Sequence, residues 1–177
     1  MRAARNAGIV VPKKIIDEAR TYLEKCTTSR GGVIYSLASG GHEGGPALVA
    51  AAIAGGFSTG DYSSPLVKKW FTYCRTAIPV AQGGRFGHDE YTHYYFAQCV
   101  YILADDGWEK LYGSTPANDR LTWSGYRAAM FDQLHRTQNG DGSWSGGGGF
   151  SVGPVYSTAM YCTIMQLDKA TLPIYQR

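Results

Sequence analysis

The sequence has few of the features that mark membrane-spanning or nucleic-acid-binding proteins. Its longest apolar stretches reach only about a dozen residues, whereas a transmembrane helix needs about 20. Charged residues make up 18% of the 177 residues, the formal net charge is +3, and like charges form no long run. We therefore expect no transmembrane segment and no nucleic-acid partner.

The first dozen residues lack the apolar core of a secretory signal. We therefore expect a cytoplasmic location, or export if the chain is part of a longer protein. The cysteines form no CxxC pair, and each falls on the apolar face of a predicted helix. We expect them to be buried thiols that pack as small hydrophobic groups. They are Cys26, Cys74, Cys99 and Cys162.

What the chain does contain is one unit that occurs three times. Glycine–aromatic segments at 32–35, 84–87 and 142–146 each follow an amphipathic stretch and precede a more apolar one. Repetition of this kind is typical of proteins built from stacked supersecondary units. We predict one domain over residues 1–177, with repeats at roughly 12–56, 64–106 and 120–167.

The two helices of each unit differ in polarity. The first has apolar residues spaced three and four apart with charges opposite, as from Lys13 to Cys26, which is typical of a surface helix. The second contains no Lys or Arg and is apolar or aromatic nearly all round, which indicates burial on most sides. The second helices are 46–54, 91–104 and 155–167. Strands are an alternative there, but frequent Ala and Met disfavour them. The pattern predicts an all-α fold with outer and inner layers.

The segment from Gln138 to Trp144, QNGDGSW, resembles the QxxxGxW core of the QW motif of squalene and oxidosqualene cyclases. Upstream, Arg127-Ala128 and Phe131-Asp132 resemble the motif's other two pairs, although the spacing to Gln138 is longer than usual. The earlier repeats keep the glycine–aromatic turn without the glutamine and tryptophan. The chain thus resembles the prenyltransferase and squalene-cyclase repeat family, at motif level in its last third.

This resemblance implies an α/α toroid, with inner helices around a central cavity and outer helices around them. It implies a structural role for Gln138, Gly142 and Trp144, which tie a helix end to a neighbouring repeat. The three hairpins form only a partial toroid. We therefore expect that the chain belongs to a longer protein, pairs with a second copy, or forms an open arc. An apolar small molecule is a further expected partner.

The catalytic motifs of that family are missing from the sequence. The segment nearest to the DxDD acid of proton-initiated cyclases is Leu103-Ala104-Asp105-Asp106, which we interpret as a solvated helix exit. No D-x-C zinc element of protein prenyltransferases occurs, nor the Cys-His pair of lanthionine cyclases or the GCGEQ of thioester domains. No cofactor is identified.

One group of chemically active side chains lies just before or within the inner helices. If the loops before the inner helices meet at one rim of the cavity, the histidines are candidates for a metal site and the carboxylates for acid–base catalysis. The alternative is that Asp89 is the N-cap residue and Glu90 lies in the first turn, where the helix dipole favours both carboxylates. The segment HDEYTH at 88–93 does not match the HExxH zinc motif. The metal candidates are His42, His88 and His93, and the acid–base candidates are Glu43, Asp89 and Glu90.

Aromatic side chains are concentrated on the inner helices. Rings there either line a ligand cavity, where their faces attract positive charge, or fill the core. The candidates for a cavity are Tyr91, Tyr94, Tyr95 and Tyr156. The sequence therefore favours a non-catalytic repeat domain that binds a ligand or a protein. The alternative is a part of an isoprenoid cyclase or prenyltransferase.

Overall fold

The computed structural model describes residues 1–39, 41–80, 89–146 and 152–169, and their regular structure is helical. Extended pairing in these ranges is limited to two isolated bridges, Thr27 with Val33 and Ile34 with Glu43. The predicted all-α class is therefore confirmed. The α-helices are α1 (Arg2–Asn6), α2 (Lys13–Cys26), α3 (Pro46–Ser58), α4 (Pro65–Ala77), α5 (Asp89–Tyr112), α6 (Trp123–Thr137) and α7 (Pro154–Met165).

Several helices begin at a capping residue or a proline. The Ser64 hydroxyl accepts a hydrogen bond from the Val67 amide, and Pro65 occupies the first turn of α4. Both α3 and α7 begin with a proline directly after a glycine, at Pro46 and Pro154. Proline suits this position because its missing N–H would have no partner inside the helix. The short helix α1 was not predicted.

Helix α5 lies at the centre of the packing. It contacts α3, α4, α6 and α7, and α3 also packs against α4. A chain of aromatic contacts joins four of these helices through the core. Ring centroids are 6.0 Å apart for Phe57 and Phe71, 6.4 Å for Phe71 and Phe96, and 5.7 Å for Phe96 and Tyr126. Such contacts add to the hydrophobic effect of burying the rings.

The end of α5 differs from the prediction. We expected a helix exit at Asp105 and Asp106, but the helix kinks at Ala104 (φ 54°, ψ −174°) and continues to Tyr112. The two aspartates are exposed, as expected of solvated side chains. The continuation buries Trp108, whose ring lies 4.7 Å from the Arg75 guanidinium of α4. Packing beyond the kink therefore extends the helix past the predicted boundary.

The prediction that all three apolar helices are buried nearly all round was wrong for α7. Its buried residues are Ser157, Tyr161 and Ile164, whereas Val155 is 84% exposed. The reason is that α7 lies against α5 on one side, while α3 lies against both α4 and α5.

The cysteine prediction is confirmed for three residues. Cys26, Cys74 and Cys99 are buried free thiols, and Cys162 is a half-buried one. Burial raises the pKa of the Cys74 and Cys99 thiols, which keeps them protonated and unreactive. Within the described ranges, no helix is both long enough and apolar enough to cross a bilayer.

Candidate functional site

The first turns of α3, α5 and α7 lie side by side around a cleft of about 470 Å³. Residues Gly44 to Ala47 form one wall, and the exposed loop residue Val152 also lines the cleft. Tyr35 also faces the cleft and is 77% exposed. The remaining side chains of the lining are Leu48, Glu90, Tyr91 and Tyr156.

Two of the four predicted cavity tyrosines share this cleft. Burial, with the neighbouring Tyr95 ring, raises the pKa of Tyr91 to about 12. Burial and the charge of Glu90 raise the pKa of Tyr156 as well. Both phenols therefore stay neutral near pH 7, and their rings offer apolar, polarisable surface.

The other two predicted cavity tyrosines line a separate groove of about 320 Å³ between α3 and α5. The Tyr95 ring makes edge contacts with Tyr94 at 5.2 Å and with Tyr91 at 5.0 Å. This aromatic row joins the groove to the cleft along one side of α5. On α3, the groove runs from Ala51 to Ser58.

Glu90 is the acidic candidate that reaches the cleft. Only 2% of its surface is exposed, yet it forms part of the lining. Its carboxylate accepts a hydrogen bond of 3.3 Å from the Ser157 hydroxyl of α7. A buried carboxylate is costly unless polar groups surround it, so Glu90 is held where α5 meets α7.

Asp89 and His93 belong to a second, fully buried group. The Asp89 carboxylate accepts a 3.2 Å hydrogen bond from the Tyr161 hydroxyl, and its other oxygen lies 3.5 Å from His93 Nε2. The opposite ring nitrogen, His93 Nδ1, is 2.8 Å from the Tyr126 hydroxyl. Burial and the Asp89 charge raise the pKa of Tyr126 well above its usual value. The group links α5 to α6 and α7 and does not line the cleft.

Among the described residues, Asp89 and His93 are the members of the expected cluster of histidines and acids that contact each other. His42 is exposed, while His93 is fully buried. The Glu43 carboxylate lies 3.4 Å from both Thr28 and Arg30 and is not part of the cleft lining. His88 lies outside the described residues. In the part of the chain that the structure describes, no three His, Cys, Asp or Glu side chains are grouped to hold a metal.

Three residues that hydrogen-bond to His93, Glu90 or Asp89 were missed at the sequence level, namely Tyr126, Ser157 and Tyr161. One signal was available, because Asp89 and His93 stand four residues apart and therefore share a helix face. Their partners lie 33 to 72 residues further along the chain. Only the packing of α6 and α7 on α5 brings them together.

The QW-like segment forms a tight turn after α6. The Gln138 side-chain amide donates to the Gly142 carbonyl at 2.8 Å, so it bonds within its own turn. Gly142 has φ 84°, a conformation that favours glycine. Hydrogen bonds from Ser143 to Asp141 close the turn and lower the pKa of Asp141.

Trp144, rather than Gln138, connects the turn to the helices. Its indole N–H donates to the Leu134 carbonyl at 2.8 Å, which satisfies an acceptor in the last turn of α6. Its backbone amide donates to the Thr158 hydroxyl, and its ring meets Tyr161 edge-on at 6.1 Å. The indole is 5% exposed and ties the end of α6 to α7.

Comparisons of the chain with protein-family models, with curated proteins and with solved structures found no match. The interpretation of the cleft therefore depends on its geometry and chemistry.

Proposed function

We propose that this domain is a ligand-binding helical module of the α/α-toroid type, whose cleft takes an apolar or aromatic small molecule. The observation that carries the proposal is the cleft itself. It has a volume typical of small-molecule sites, and Tyr35, Leu48, Tyr91 and Tyr156 give it a largely apolar wall.

The order of the helices supports the toroid part of this proposal. α3 packs on α5, α5 packs on α7, and all three begin at the cleft. Their directions are therefore alike, as expected for inner helices separated by outer ones. The turn at 138–144, with the Trp144 indole on the end of α6, supports the resemblance to QW repeats.

A fluorescence titration tests the binding proposal. The uncharged fluorophore N-phenyl-1-naphthylamine becomes bright in apolar sites, and we expect saturable binding to the native domain. Tyr91→Ala removes a half-buried ring from the cleft, so the probe's affinity is expected to fall by roughly tenfold.

Tyr62→Ala is the matched control, because it removes a ring that stacks on Phe57 at 5.1 Å and does not line the cleft. Equal loss of probe affinity in the two variants would count against the cleft as the binding site. Both variants are first compared with the native domain by circular dichroism.

The enzymatic alternative has one supporting observation. Glu90 places a carboxyl group beside the rings of Tyr91 and Tyr156, and the cyclases that the chain resembles combine a carboxylic acid with aromatic rings. Cyclised products from squalene or farnesyl diphosphate that disappear with Glu90→Gln would replace the binding proposal with this one.

A further inference from the structure

The cleft has a one-sided charge distribution. Glu90 is the charged residue among its described lining, and no Lys or Arg belongs to that lining. Only 2% of the surface of Glu90 is exposed, so a bound group would meet its carboxylate largely shielded from water. A charge in such surroundings interacts more strongly with a partner than one in solvent does.

Three helix ends also point into the cleft, and these would favour an anion. Each N-terminus carries roughly half a positive charge, mainly on its free N–H groups. However, α3 and α7 begin with Pro46 and Pro154, so each of these two ends has one free N–H fewer. The third end, that of α5, carries two carboxylates of its own, Asp89 and Glu90. Of the two, Glu90 lines the cleft, and its full negative charge lies next to the partial positive charge of the α5 end.

Aromatic rings complete the lining. Tyr91 and Tyr156 flank Glu90 in the cleft wall, and Tyr35 stands at the exposed edge. Neutral rings attract cations through the electron density on their faces. Apolar surface from Leu48 and Val152 is available for the uncharged part of a ligand.

We propose that the cleft binds an organic cation of the alkylammonium class, with its charged group beside the Glu90 carboxylate and the rings of Tyr91 and Tyr156. This assignment rests on the proposed function, since it requires that the cleft be a ligand site. It adds the sign of the ligand's charge and the residue that recognises it.

Calorimetric titration with three small probes of similar size tests the assignment. The probes are benzyltrimethylammonium, neutral benzyl alcohol and anionic benzenesulfonate. We expect the ammonium to bind at least about tenfold more tightly than the alcohol, and the sulfonate to bind most weakly. Glu90→Gln is expected to lower the ammonium's affinity towards that of the alcohol, which removes most of the preference for the cation.

Glu109→Gln is the matched control. Glu109 is an exposed carboxylate paired with Arg120 at 3.0 Å and does not line the cleft, so its loss should leave all three affinities unchanged. Tyr156→Leu provides a second test if Glu90→Gln does not fold. It keeps apolar bulk but removes the ring, and we expect the ammonium's affinity to fall several-fold while that of the alcohol stays within about twofold.

The possible results separate the two proposals. Equal affinity for ammonium and alcohol would overturn the cation assignment and leave the apolar cleft intact. Tighter binding of the sulfonate would also overturn it, in favour of an anion held by the helix ends. Binding of none of the probes, together with no binding of N-phenyl-1-naphthylamine, would overturn the proposed function as well.

Discussion

Helices α3 and α7 are alike in sequence and differ in their surroundings. Each follows a glycine, begins with a proline and contains no charged residue. Yet α3 buries residues in every turn, while α7 buries three and leaves Val155 84% exposed. The comparison teaches that an apolar helix is buried only as far as neighbouring helices cover it.

The two helices are also held by different forces. Val49, Ala50 and Ile53 of α3 are fully buried among apolar side chains, so the hydrophobic effect dominates there. In α7, Ser157 and Tyr161 donate hydrogen bonds to the buried carboxylates of α5. The Trp144 indole adds a third attachment. We therefore expect α7 to depend on a few specific contacts.

The largest expected effect comes from Trp144→Ala. It removes a buried indole and its bond to the Leu134 carbonyl, so we expect a loss of roughly 3–5 kcal/mol in the free energy of unfolding. Chemical denaturation measures this loss, and hydrogen exchange should show that α7 loses protection before α3. Trp144→Phe, which keeps a ring, should cost less. An unchanged melting curve for the alanine variant would show that the turn does not hold α7.

A smaller effect is expected in α3. Ile53→Ala leaves a cavity at a fully buried position, and we expect a loss of about 3 kcal/mol by denaturation. Val155→Ala is the corresponding truncation in α7 and should change stability by less than about 0.5 kcal/mol, because its side chain is already in water. Similar losses at both positions would mean that another surface covers α7 in solution.

A loss smaller than that of Ile53→Ala is expected from Tyr161→Phe. This change keeps the ring but leaves one oxygen of the buried Asp89 carboxylate without its 3.2 Å donor, so we expect a loss of about 1–2 kcal/mol. Tyr22→Phe, at an exposed position of α2, serves as the control. If the two variants melt at the same temperature, hydrogen bonding to α5 is not what holds α7.

Much of the helical fold could be predicted because its signals are local. The cap at Ser64 and the prolines at Pro65, Pro46 and Pro154 fix where helices begin, and the charge pattern from Lys13 to Cys26 marks a surface helix. The end of α5 could not be predicted in this way. It depends on the packing of Trp108 against Arg75 of α4, which is a contact between residues far apart in the sequence.

For the candidate site, the sequence predicted which residues are candidates but not which of them lie together. Glu90, Tyr91 and Tyr156 were recognised as candidates from their types and positions, and they do share the cleft. His42 and Glu43 were candidates on the same grounds, but they lie exposed or paired elsewhere. Their separation depends on the direction in which a loop carries each side chain, and periodicity does not report that direction.

The sequence by itself determined the all-α class, most helix starts and the apolar character of α3, α5 and α7, because caps, prolines and periodicity act over a few residues. Tertiary structure alone decided which apolar helix is covered and which acid faces a cleft. It placed Ser157 and Tyr161 against the carboxylates of α5. These outcomes depend on contacts between residues far apart in the chain, which form only when the helices pack.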